Sequence, residues 1–238
     1  MANYAVSEEL LLPYLPSGTE LDRYEKRCYV SLVGFLFQDT RLKSLRVPFH
    51  RTFEEVNLRF YVQHTKPNGE RRRGVVFISE FVPRLALTLV ANTVYGEKYV
   101  TLPMSHSLEE TAAYRTVAYR WGHYYENLLL VAASLNPQPI APGSAEEFFT
   151  EHYWGYTKRG KRTSEYEVLH PRWQIYPILQ QFIKVNFSNL YGRRFAQLAD
   201  RAPESILLAE GSPVEVRAGH RLTIAESSAA KAQEPVNE

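Results

Sequence analysis

Residues 55–63 read EVNLRFYVQ, and residues 73–81 read RGVVFISEF. Successive side chains of an extended chain point to opposite faces. In the first segment Val56, Leu58, Phe60 and Val62 therefore share one face, and Asn57, Arg59, Tyr61 and Gln63 share the other. The connection KPNGE (66–70) contains Asn-Gly, the pair that best accepts the positive backbone angles of a tight hairpin. These two segments predict an antiparallel pair with one apolar and one polar face.

Upstream, RCYVSLVGFLF (27–37) is apolar on both alternating faces, as a central strand covered on each side would be. Residues 39–53 form a long connection carrying Pro48 and His50, and residues 1–20 read as an irregular lead-in. Downstream, Pro83 and Gly96 bracket a helix over 84–95 whose apolar residues run most of the way round, so it should be buried. Residues 111–121 and 125–135 predict a second strand pair around Gly122 and His123. A Pro-rich break at 136–143 follows, and Ser144 with Glu147 makes a capping box for a short helix carrying Phe148 and Phe149.

Residues 153–157 and 163–169 then predict a hairpin turning at Gly160. A strand over 178–187, a helix over 189–199 capped by Ser188, and short strands at 205–209 and 214–217 complete a single domain over 1–224. Residues 225–238 are small and polar and read as a disordered tail. Strands outnumber helices and the hairpins are sequential, which gives an α+β fold, mainly antiparallel β with a few packed helices.

Composition narrows the function classes. With 238 residues, 45% of them hydrophobic, the chain can build a sizeable core. A net charge of +2 supplies no global field toward nucleic acid or a membrane surface. The longest apolar run, within NLLLVAASL (127–135), is too short to span a bilayer. The start MANYAVSEELLLPYLP lacks a basic leader, and the lone Cys28 fits a reducing compartment, so a cytoplasmic location is expected. The seven histidines show no metal-ligand spacing, and neither a Gly-rich phosphate loop nor a nucleophile elbow occurs, so no metal or cofactor is expected.

An ordered set of segments carries a family resemblance: VSLVGF (30–35), EVNLRFYV (55–62), GVVFISEF (74–81), TLPM (101–104), FFTEHYWGYT (148–157), VLHPRW (168–173) and AEGSPVEV (209–216). Together they resemble the bacterial YqjF-like family, the domain of unknown function 2071, which is similar in fold to acetoacetate decarboxylase. The resemblance implies a curved cone-like barrel or sandwich around an internal cavity. Enzymes of the decarboxylase type use a lysine whose pKa is lowered by a neighbouring cation, an effect for which the acetoacetate decarboxylase itself is the standard example. Their lysine pair follows a Gly-aromatic-Pro segment, whereas here Pro103 is followed by Met104, Ser105 and His106, and no Lys-Lys pair occurs. The decarboxylase activity is therefore not carried over, and a decarboxylase or lyase acting on a keto acid stays an alternative.

The residues themselves suggest a cavity for a small organic acid or carbonyl compound. Arg59 is the clamp for its carboxylate, with Asn57 and Tyr61 beside it and Glu80 on the partner strand. Glu80 is equally suited to pair with Arg59 as a structural ion pair. Glu151, Tyr156 and His170 would complete the lining, Glu151 and His170 doubling as acid–base candidates among flanking aromatics. Lys98 is the nearest candidate for an imine-forming amine. Two basic tips, Lys66 with Arg71–Arg73 and Lys158–Arg162, offer a third reading as an anion-binding surface. Self-association into a homo-oligomer stays open.

Overall fold

The computed structural model describes residues 1–42, 45–46, 52–84, 98–160 and 162–222. The helix expected over 84–95 lies, from 85 on, outside the described residues, as does the tail from 223. Strands β1 (Ala2–Val6), β2 (Cys28–Phe37), β3 (Phe53–Thr65) and β4 (Arg71–Val82) form the centre of the larger sheet. β5 (Tyr99–Thr101) pairs with β4 in parallel. A smaller sheet contains β6 (Met104–Glu110), β7 (Arg115–Trp121) and β8 (Asn127–Ala133). β9 (Trp154–Arg159) and β10 (Arg162–Leu169) extend the larger sheet as a hairpin turning at Gly160, and β11 (Ile178–Lys184) closes the smaller one beside β8. Among the described residues the pairing of the larger sheet is an open path from Ser205–Ile206 through β1, β2, β3, β4, β9 and β10 to Glu215–Val216.

The hairpin of β3 and β4 forms where the alternation placed it, with Tyr61 opposite Val75 and Asn57 opposite Glu80. A β-bulge between Leu58 and Arg59 in the register makes Leu58 oppose Ser79 while Arg59 opposes Phe77. One residue of β4 is thereby left extra, and the strand changes phase at that point. Without it, Glu80 would point to the same side as Val76 and Ile78.

The apolar side of β3 and β4 meets the smaller sheet. Val56, Leu58, Phe60 and Val62 are fully buried, in one cluster with Tyr119, Trp121, Leu129 and Val131. The approach is close enough that a Cβ on Gly34 would lie 2.8 Å from the Tyr119 ring, which explains a glycine in a central strand. The opposite side is covered by the helix α2 (Ala145–Thr150), introduced after α1 (Glu8–Leu11), through Phe148 and Phe149 against Tyr29, Tyr61 and Val75. Ser144 accepts from the Glu147 amide as the capping box requires, but the Glu147 carboxylate takes the amide of Gly143 at 2.6 Å instead of that of Ser144.

Three expectations need correction. The lead-in is not irregular throughout, since β1 pairs along β2 from Ala2–Leu32 to Val6–Cys28 and supplies that central strand with its second neighbour. Residues 104–110, to which the sequence reading assigned no element, form β6 and pair with β7. The helix expected from Ser188 starts earlier: α3 spans Phe187–Tyr191, Asn186 accepts from the Asn189 amide, and Gly192, at φ +98°, ends it after little more than one turn. Starting there buries Phe187 and Tyr191 together, four residues apart on one side of the helix. A 3-10 turn over Arg193–Leu198 follows.

Candidate functional site

The polar face of β3 becomes a buried strip. Strand register gives Asn57 the neighbours Val33 on β2 and Glu80 on β4, and places Glu55 beside Phe35. Glu80 in turn lies beside Tyr99 on β5. Glu55 and Glu80 are only 3% and 1% exposed, and Asn57 is fully buried, so the sheet keeps two carboxylates and an amide away from water. Carboxylates are not left there without donors. Glu55 accepts from Asn57 Nδ2 at 2.9 Å and from the Tyr99 hydroxyl at 3.1 Å. Burial raises the Tyr99 phenol well above its ordinary value, and the nearby Glu55 and Glu80 raise it further, so it is a neutral donor.

Arg59 stands next along the strip. Its Nη2 donates to the Phe149 carbonyl at 3.1 Å, which joins the strip to the covering helix, and its guanidinium lies 5.8 Å from the Tyr61 ring. Arg59 does not pair with Glu80. Among the described residues, two buried atoms of β3 have no protein partner: the Nε–H of Arg59, a donor, and Oδ1 of Asn57, an acceptor. Leaving such an atom unmet costs about 1–3 kcal/mol.

Beyond Arg59 the strip becomes aromatic and closed. The hydroxyls of Tyr61 and Ser31 bond to each other, Ser31 donates to Asn3, and Asn3 donates to Ser205. His152 packs 4.7 Å from the Tyr61 ring, and its Nε2 lies 3.0 Å from Asp22, which Arg73 already holds at 2.7 Å. Burial, more than any charge, lowers the His152 pKa from 6.5 to about 4, so the ring is neutral at pH 7 and its Nε2–H donates to Asp22.

The remaining expected residues lie elsewhere. Glu151 ends α2 and accepts from the Tyr153 hydroxyl at 2.5 Å. His170 is sandwiched between the rings of Tyr153, at 4.8 Å, and Trp173, at 4.2 Å, while the Trp173 indole donates to Ser212. The pair is thus linked through Tyr153, but in a surface stack beside an open depression of about 490 Å³ bordered by Ile140, Arg172 and Trp173. Tyr156 sits on β9 in the core between the sheets, opposite Glu165. Lys98 is exposed, its ammonium 4.9 Å from the Tyr14 ring.

Part of each basic tip is engaged. Lys66 and Arg72 pair with Glu70, Arg72 also with Glu165, and Arg73 with Asp22, while Lys158 donates to the Pro13 carbonyl. Because β4 and β9 pair in parallel, their tips leave the sheet in opposite directions.

Two strip residues escaped the sequence reading. Glu55 has the same parity as Asn57 and Arg59, so extending the alternation by one step reaches it. Tyr99 carries no such signal, because its place beside Glu80 depends on a parallel pairing across a long connection. Among the described residues, no group of three or more His, Cys, Asp or Glu is arranged to hold a metal, and no helix is long and apolar enough to cross a membrane.

With this geometry in hand, comparison with known proteins gives three findings. The family described as an uncharacterized conserved protein, DUF2071, matches residues 1–213. The uncharacterized protein YqjF of Bacillus subtilis (strain 168) is 30% identical over 99 residues, which is 41% of this chain and only 39% of that protein. The chain also resembles solved structures in fold. Acetoacetate decarboxylase from Legionella pneumophila aligns over 93% of this chain and 83% of its own, with TM-score 0.58 and 13% identity. An acetoacetate decarboxylase-like enzyme from Sphingomonas wittichii RW1 aligns over 92% and 86%, with TM-score 0.54 and 12% identity. The enduracididine biosynthesis enzyme MppR complexed with pyruvate aligns over 92% and 81%, with TM-score 0.54 and 13% identity.

Proposed function

This chain belongs to the DUF2071 family, whose description names no activity, and from its own residues we propose that it binds a small organic acid or carbonyl compound on the buried strip of β3 and β4. Arg59 binds the carboxylate or carbonyl oxygen, and Asn57 fixes its orientation. The observation that carries this reading is the pair of unmet buried atoms, Arg59 Nε and Asn57 Oδ1, two residues apart on one face of one strand. A guanidinium N–H with no acceptor is costly, and a carboxylate is the acceptor that its planar geometry suits. Pyruvate, bound by one of the proteins of similar fold, is of this class.

An imine-forming decarboxylase has less to support it. Among the described residues no lysine is buried, and the exposed Lys98 keeps the hydration that an amine nucleophile would have to shed. The anion-surface alternative is weakened by carboxylate partners for Lys66, Arg72 and Arg73.

Calorimetric titration with pyruvate, acetoacetate and butanoate tests the proposal. Saturable binding to the wild type is expected, weakened at least about tenfold by Arg59→Met, with circular dichroism confirming that the variant is folded. Equal affinity for wild type and Arg59→Met would remove the clamp.

A further inference from the structure

Among the described residues β11 is an edge strand of the smaller sheet, and a cavity of about 160 Å³ lies beside it, bordered also by Tyr4 of β1. Its apolar walls come from Ile183, Val185, Phe187 of α3 and Leu198 at the end of the 3-10 turn. The segment 199–203, which leads into the short strand paired with β1, completes the border. In the register, Gln181 and Ile183 lie opposite Val131 and Leu129, both core residues, so Gln181 places an amide on the core-facing side of the strand.

The lining carries three polar side chains, those of Tyr4, Gln181 and Arg201. Burial alone raises the Tyr4 phenol to about 12, so it stays a neutral donor. Arg201 is exposed and is the one charged residue of the lining. Among the described residues none of these three side chains is taken by a hydrogen bond or an ion pair.

A cavity of about this volume accepts a molecule the size of benzene. The walls suit a compact hydrocarbon body, and the polar groups suit an anionic head, because no acidic residue stands in the lining. A planar carboxylate matches the fork of a guanidinium, whereas an amine would meet like charge.

We propose that this cavity is a second binding site, for a small monocarboxylic acid with a compact apolar body, of the kind of benzoate or 3-methylbutanoate. Arg201 holds the carboxylate with Gln181 and Tyr4, and the body packs against Phe187 and Leu198. The site shares no residue with the strip of β3 and β4 and stands or falls without it.

Calorimetric titration in the Arg59→Met background takes the strip out of the measurement. Benzoate and 3-methylbutanoate are compared with acetate, which lacks the body, and with benzyl alcohol, which lacks the charge. At least one of the two larger acids binds saturably, about tenfold or more tighter than either control. Arg201→Gln weakens it about tenfold, and Ala202→Phe, which fills the border, weakens it further. Both positions are exposed, so neither change threatens the core. No binding of either acid overturns the proposal. Benzyl alcohol binding as tightly as the acids removes the carboxylate clamp. Affinity unchanged in both Arg201→Gln and Ala202→Phe places the acid elsewhere. Should Arg59→Met fail to fold, the same series in the wild type decides, because binding at this site follows Arg201→Gln and Ala202→Phe.

Discussion

Two regions of this molecule carry a high density of aromatic and ionisable side chains, and they differ in how those groups are satisfied. In residues 148–173 the acid–base candidates are engaged: Glu151 holds the Tyr153 hydroxyl, His170 lies between two rings, and the Trp173 indole reaches Ser212, while the buried atoms without a partner, His152 Nδ1, the Tyr156 hydroxyl and Glu165 Oε2, belong to core side chains. Phe148 and Phe149 from the same stretch are core of the covering helix. In the strip of β3 and β4, the groups are fewer and more deeply buried, and among the described residues Arg59 Nε and Asn57 Oδ1, two positions apart on one strand face, find no protein partner. Protein interiors pair nearly all their polar atoms, so an unmet donor beside an unmet acceptor is better evidence of a binding role than a crowd of reactive-looking side chains.

The largest effect that tests this contrast is structural. Phe149 is 1% exposed and touches Tyr29, Tyr61 and Phe148 with ring centroids 5.2–5.5 Å away. Phe149→Ala is expected to cost roughly 3–5 kcal/mol in urea unfolding, as for a core phenylalanine. A loss under about 1 kcal/mol would mean that the helix is not a structural cover.

His152 gives the next effect and a pH dependence. Its folded pKa of about 4 lies below the ordinary 6.5, so between those values the unfolded chain binds the proton more readily. Stability is full above pH 6.5 and falls as the pH drops toward 4, by about 3 kcal/mol from this residue. Asp22, whose pKa is also lowered, extends the loss in the same direction below its ordinary 3.8. His152→Gln should flatten the stability curve between pH 4 and 6.5. An unchanged slope would place the titrating group elsewhere.

Arg59→Met is expected to change stability by no more than about 1 kcal/mol, because the bond lost to Phe149 is offset by removing an unmet buried donor. A cost of several kcal/mol would move Arg59 into the structural half of the contrast. His170→Ala should have the smallest effect, within about 1 kcal/mol and with ligand binding untouched, since the ring is only part-buried. Any change in affinity for small acids would reopen the surface stack as a site.

What the sequence revealed followed from periodicity. β2, β3, β4 and the β9–β10 hairpin were legible because alternation and turn residues are local signals. β1 was not, since Ala2–Val6 is stabilised by partners at Cys28–Leu32 and Ser205–Ile206, far along the chain. The grouping of Asn57, Arg59, Tyr61 and Glu80 was anticipated, but Glu151, Tyr156 and His170, drawn to it by composition, lie elsewhere, and Lys98, chosen for its place ahead of Leu102 and Pro103, bonds Glu80 through its backbone while its side chain turns to Tyr14. The pairing of His152 with Asp22 spans 130 positions and leaves no mark on either neighbourhood.

The bulge in β4 works as a frame marker. Every side chain from Ser79 onward takes its side of the sheet from that one extra position. Removing a single residue before Ser79 would restore strict alternation, turn the Glu80 carboxylate toward the packed layer between the sheets, and turn Phe81 out of it. Changes of length in this strand are therefore tolerated in twos and not in ones, a parity rule that sequence comparison among relatives can read directly.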